Sequence, residues 1–121
     1  MPTFLHFSDT PDYRYIVQHV IRNTTQGAFR VEAIPTSHPE AAIAKYQSAN
    51  PISIVLVEYP RNVAATIQQL RAHPNFAEAI ILIITGRPQD YQALTSATVM
   101  IGDKVDHIPM LSAALAYYNA L

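Results

Sequence analysis

The chain has no cysteine, no tryptophan and only three glycines in 121 residues. Without cysteine there can be no disulfide, no thiolate nucleophile and no cysteine-based zinc site. Three scattered glycines cannot build the glycine-rich loops that cradle phosphates. An excess of charge of one sign is lacking too. Eight Lys and Arg stand against nine Asp and Glu, the formal net charge is −1, and the basic residues are spread singly along the chain. Such a surface offers no footprint to a phosphate backbone, so nucleic acid is not expected as a partner. No apolar run approaches the length of a membrane span, and the start, MPTFLHFSD, has neither the charged nor the long apolar region of a signal peptide. A soluble, cytoplasmic protein without membrane contact is expected. Half of the residues are apolar, which at this length makes one core and a single domain over residues 1–121.

The stretch Ile52 to Pro60, ISIVLVEYP, organises the rest. Its β-branched run is fenced by Asn50-Pro51 and Pro60, and reads as a strand buried on both faces in the middle of a parallel sheet. It stops at an acid, Glu58. A second such run, Ala79 to Ile84, ends at Thr85-Gly86. Thr3 to Phe7 reads as a first strand, Phe29 to Ile34 as a strand near a sheet edge, and Thr98 to Ile101 as a short last strand.

Helical signals fill the gaps. Thr10-Pro11-Asp12 is an N-cap with proline and an acid behind it, followed by the stripe Ile16, Val17, Val20 and Ile21. Ser37 and Glu40 form a capping-box pattern before a helix that runs to about Ala49. Val63, Ala64, Ile67 and Leu70 mark a third helix, a short one is expected around Gln89 to Ser96, and Ile108, Leu111, Leu115 and Tyr118 stripe a last one capped by Asp106. Strands alternating with helices demand right-handed parallel crossovers. The fold class is therefore α/β, a three-layer α/β/α sandwich of the flavodoxin-like kind with a five-stranded parallel sheet of order 2-1-3-4-5.

In such a sheet the carboxyl ends of the strands share one rim, where ligands collect. Ser8, Asp9, Glu58, Thr85, Gly86 and Lys104 fall there. The five histidines have no ligand spacing and read as core, cap or surface residues; His6 lies inside a strand. Of the seven tyrosines, Tyr117 and Tyr118 are adjacent on the last helix, so one of the two is expected to face outward or toward a partner.

With LRAHPNFAEAIILIITG (Leu70 to Gly86) and these rim residues, the chain resembles the receiver domains of two-component response regulators along essentially its whole length. The resemblance implies magnesium held by acids after the first strand, phosphate accepted on an aspartate after the third, and a hydroxyl and a lysine that read it. Asp9 matches one of the acids, Thr85 the hydroxyl and Lys104 the lysine. Ser8 replaces the second acid. The residue four before Pro60 is Leu56, and aligning the strands puts Val57 or Glu58 at the acceptor position, neither of them aspartate. The extra methylene of a glutamate displaces an attacking oxygen by ~1 Å or more, enough to spoil an in-line geometry. Val105 stands where the family has proline, and Ile101 at its aromatic switch position.

The expectation is a degenerate, or pseudo-receiver, domain. It would be a non-enzymatic signalling or regulatory module that binds protein, with Ser8, Asp9, Glu58, Thr85 and Lys104 as a degenerate phosphorylation pocket. The interaction face would involve Ile101, Tyr117 and Tyr118, and a homodimer through the last strand and helix is one form of partner. No cofactor is expected, since Asp9 and Glu58 alone would hold Mg2+ only weakly. Two alternatives remain: a phosphorylatable receiver using an unconventional acid with Mg2+, and a small flavodoxin-like binder of a phosphate-bearing ligand.

Overall fold

Two apolar runs that cannot face water on either side fix the centre of the molecule. In the structure, a computed structural model describing residues 1–121, they are β3 (Ile54–Glu58) and β4 (Ile80–Ile84), buried at every residue. β1 (Thr3–Ser8) pairs with β3 on one side and with β2 (Arg30–Pro35) on the other, and β5 (Val99–Gly102) closes the far edge. All pairings are parallel and the order is β2-β1-β3-β4-β5. The edge position of β2 agrees with its alternating pattern, Val31 packing on one face and Ile34 on the other.

Strand side chains alternate between faces, and each face has its own core. Phe4, Ile54, Leu56, Ile80, Leu82 and Ile84 meet α1 (Pro11–Thr25) and α4 (His107–Ala120). Leu5, Phe7, Val55, Val57, Ile81 and Ile83 meet α2 (Pro39–Lys45) and α3 (Val63–Ala72). The fold is a three-layer α/β/α sandwich of the flavodoxin-like kind. No helix is long and apolar enough to cross a membrane.

Several local expectations need correction. Ser37 does not cap α2: His38 is the N-cap, and the Ser37 hydroxyl lies on the His38 ring. Glu40, instead of reaching back, accepts from the Arg61 and Asn62 backbone and ties α2 to the start of α3. α2 stops at Lys45 rather than near Ala49, because Tyr46 turns to extended backbone and packs its ring against Phe7 and Phe76. Between β4 and β5 the chain makes a 3₁₀ helix, Pro88–Leu94, in place of an α-helix. Asp106 precedes α4 but its side chain does not cap it; the carboxylate instead accepts from the Asp103 backbone across a 3₁₀ turn, Lys104–Asp106. Ile16 and Ile108, placed on buried stripes by periodicity, are 44% and 39% exposed.

Candidate functional site

The rim begins where β1 and β3 run out. The register sets His6 opposite Leu56, so His6 and Glu58 are diagonal neighbours on the α1/α4 face. Val57 points to the other face, fully buried with the α2/α3 core, and Glu58 is the residue that β3 offers to this side. The Glu58 carboxylate is withdrawn from water, its side chain 2% exposed. His6 Nε2 lies 3.3 Å from Oε2, and Lys104 Nζ lies 3.5 Å from Oε1. The imidazole is within ion-pair reach but off hydrogen-bond alignment, which leaves both carboxylate oxygens and both His6 nitrogens without an aligned partner.

Lys104 comes from the turn after β5 and is 43% exposed at its side chain. Its ammonium also sits 4.8 Å from the centre of the Tyr13 ring, a cation–π contact. Tyr13, on the first turn of α1, meets His6 edge-on at 5.2 Å and His107 edge-on at 5.1 Å. The neighbouring Arg14 donates from Nη1 to the Ser8 carbonyl at 2.9 Å. A carbonyl can only accept, so the 2.6 Å contact of His107 Nδ1 with the Lys104 carbonyl makes Nδ1 the protonated nitrogen.

The protonation states follow from the surroundings. Burial pushes Glu58 upward, but the His6 ring and the Ser8 hydroxyl, close to the carboxylate though out of hydrogen-bond line with it, and the Lys104 charge outweigh it and hold the carboxyl below its ordinary value. Burial pushes His6 down, and the nearby cations Arg14 and Lys104 add to this, so the pull of Glu58 does not restore the ordinary imidazole value. Burial, with the Glu58 charge, pushes the Tyr13 phenol up. At neutral pH the group is one carboxylate, one ammonium and a neutral imidazole.

Of the rim residues singled out by sequence, the structure gathers Ser8, Glu58 and Lys104. Ser8 is buried, its hydroxyl accepting from the Thr10 backbone. Asp9 is exposed and its carboxylate accepts from Thr10 Oγ1. Thr85 is half-buried, holding the turn by accepting from the Arg87 backbone and donating its own to Gly102. No group of three or more Asp, Glu or His is assembled to hold a metal ion, and Glu58 has its charge met by Lys104. These residues do not fit the magnesium site that the resemblance implies. α3 is capped by Asn62, which accepts from the Ala65 backbone, so Glu58 plays no part in that cap.

Ile101, Tyr117 and Tyr118 are each half-buried. Ile101 packs on the α2/α3 core, and the two tyrosines pack on the α1/α4 core, with Tyr118 edge-on to Phe29. Neither tyrosine stands free in solvent, because both are half-buried against the α1/α4 core. Exposed apolar side chains on the rim are instead Tyr59, at 48%, and Val105, at 83%. Tyr59 follows Glu58 directly in a left-handed conformation (φ 51°), which a non-glycine residue adopts at a cost of about 1 kcal/mol. The single sizeable surface cavity, about 220 Å3, is at the opposite rim between the end of α1, Phe29 and α4, away from Glu58.

Sequence reasoning missed His6 and Tyr13 as members of this group. Their signal existed only as a register: two residues back from the end of β1, and one turn into the following helix.

Among solved structures the chain superposes on a sensor protein from Polaromonas sp. JS666, with a TM-score of 0.68 over 98% of this chain and 97% of that one, at 14% identity. The likeness is one of fold. No protein-family model matches the chain, and no curated protein matches it in sequence.

Proposed function

We propose that the protein is a receiver-like signalling or regulatory module that works by binding protein, not by catalysing phosphoryl transfer. One observation carries this reading: the acid at the end of the third strand is a buried glutamate whose charge is met by its own chain, through Lys104 at 3.5 Å. In the receiver pattern that lysine reads a phosphoryl group. Here it occupies the carboxylate that would have to accept one, and a donor would have to displace Lys104 from both Glu58 and the Tyr13 ring. Ser8 stands where the resemblance puts a second acid, and Asp9 is exposed with its carboxylate on the Thr10 hydroxyl, which leaves a magnesium-assisted transfer without paired acids. The sensor described for the similar fold supports a signalling role, and a cytoplasmic setting accords with it. Partner contact is assigned to the end of the molecule built from β5 and α4, including a second copy of the chain.

Incubation with Mg2+ and a small acyl phosphate, followed by intact-mass measurement, tests the first half. No added mass is expected; a phosphate-sized adduct that vanishes in Glu58→Gln would overturn the reading in favour of a working phosphoacceptor. Sedimentation of the protein and of its Tyr117→Ala and Tyr118→Ala variants tests the second. Weaker self-association in the variants is expected, and unchanged self-association removes α4 from the face.

A further inference from the structure

The group around Glu58 contains more cationic capacity than one carboxylate can use. His6 is 1% exposed and cannot leave; Lys104, on a turn and 43% exposed, can. We propose that Glu58 is handed between two cations: Lys104 holds it at neutral pH, and on acidification a protonated His6 takes it and frees Lys104 to solvent.

Charge balance in a confined space drives the exchange. With Lys104 docked and His6 neutral, the pocket holds one negative and one positive charge. A proton added to His6 while Lys104 stays would leave an uncompensated positive charge beside a carboxylate already paired, in surroundings where unpaired charge is costly. Arg14, whose guanidinium is anchored on the Ser8 carbonyl at 2.9 Å, makes that state worse. Releasing Lys104 restores the balance as an imidazolium–carboxylate pair at the 3.3 Å already present. All charged and titratable groups facing His6 enter the same account. They are Glu58 from β3, Tyr13 and Arg14 from α1, Lys104 from the turn after β5, and His107 of α4 across the Tyr13 ring. Tyr13 stays neutral throughout, since burial raises its phenol.

The exchange has a mechanical consequence. Lys104 opens the 3₁₀ turn that leads into α4, and its carbonyl is the acceptor for His107 Nδ1. The next residue is the exposed Val105. Undocking Lys104 therefore loosens the lead-in to α4 from the Tyr13 ring and alters the rim around Val105. Proton uptake at a fully buried residue would be read out as a change at the surface. The device needs only these contacts, and stands or falls independently of the receiver-like reading.

The test is an NMR titration of the isotope-labelled full chain from about pH 8 to about pH 4, following the His6 ring carbons, the Lys104 Cε and the amides of Asp103 to His107. One shared midpoint is expected for the His6 ring, Lys104 and these amides. In Lys104→Gln, His6 loses its competitor and its midpoint rises by about one unit. In a second variant, Lys104→Met, the same rise is expected. The proposal is overturned if His6 titrates at the same pH with and without Lys104. It is likewise overturned if the Lys104 signals do not move through the His6 midpoint, or if His6 takes up no proton before the wild-type chain unfolds.

Discussion

Replacing Lys104 by methionine keeps a side chain of similar length but takes the ammonium away from the Tyr13 ring and leaves Glu58 buried without its cation. Stripping one partner from a fully buried ion pair costs about 3–5 kcal/mol. The Lys104 side chain is 43% exposed, so water can take over part of its role, and the expected loss is about half of that, ~2 kcal/mol at neutral pH. With an urea m-value of about 2 kcal/mol/M, the midpoint of unfolding falls by about 1 M at unchanged slope. Adding Glu58→Gln removes the stranded charge and recovers most of the loss, because a neutral amide of the same shape needs no cation. Urea unfolding of the four proteins in this cycle is the assay. A midpoint change under about 0.2 M in Lys104→Met would refute the pairing, and so would a double variant as unstable as the single one.

Acid sensitivity, anchoring and close packing each give a further expectation. His6 and Glu58 are both held below their ordinary values of 6.5 and 4.5 in the folded chain, so both favour folding most at high pH. Stability is full above about pH 6.5, declines below it as unfolded His6 takes up a proton that the folded ring resists, and declines further below about 4.5 as Glu58 must be protonated. Thermal melts of His6→Gln should lose the first decline and keep the second. Arg71 of α3 donates Nη1 to the carbonyl of Ala79 at 2.6 Å and Nη2 to the Thr98 hydroxyl at 2.8 Å, joining the lead-ins to β4 and β5. Arg71→Lys cannot span both and should cost about 1–2 kcal/mol in chemical denaturation. At Gly102 an added Cβ would meet Met110 Sδ at 2.5 Å and Asp106 Cβ at 3.1 Å. Gly102→Ala should therefore lower the melting temperature, by an amount corresponding to about 1–2 kcal/mol.

The sheet was legible because β4, and β3 up to Glu58, are apolar without interruption, a pattern that only two-sided burial makes sense of. Proline and turn residues between the runs then left little choice of topology. What could not be read were local decisions taken by tertiary contacts. Tyr46 leaves α2 early because Phe7 and Phe76 offer its ring a place, and Glu40 abandons the capping box because the start of α3 presents two backbone donors to it. At the rim, strand ends are visible in sequence, and so Ser8, Glu58 and Lys104 were found. His6 was not, because its relation to Glu58 is a diagonal across two strands that exists only once their register is set. Asp9 and Thr85 show the converse. Position at a strand end placed them on the rim, yet the turns following β1 and β4 spend their side chains on local backbone and hydroxyl contacts.

That separation yields a contrast between scaffold and chemistry. If the rim still worked as the family resemblance implies, Asp9 and Thr85 would be coupled to Glu58 and Lys104, one through a shared cation and the other through a shared anion. In the observed geometry they are bystanders: Asp9 is exposed on the turn before α1, and Thr85 holds a turn beside Gly102. Asp9→Ala and Thr85→Ala should each cost no more than about 1 kcal/mol, the scale of the one local hydrogen bond that each side chain accepts. Each should also leave the His6 titration midpoint where it was, because neither side chain is among the groups that set it. Lys104→Gln moves that midpoint, so the three variants measured side by side separate members of the buried group from neighbours of it. A shift of the His6 midpoint in Asp9→Ala comparable to that in Lys104→Gln would show that the acid after the first strand still acts on the buried group, and the reading of Asp9 as a bystander would be wrong.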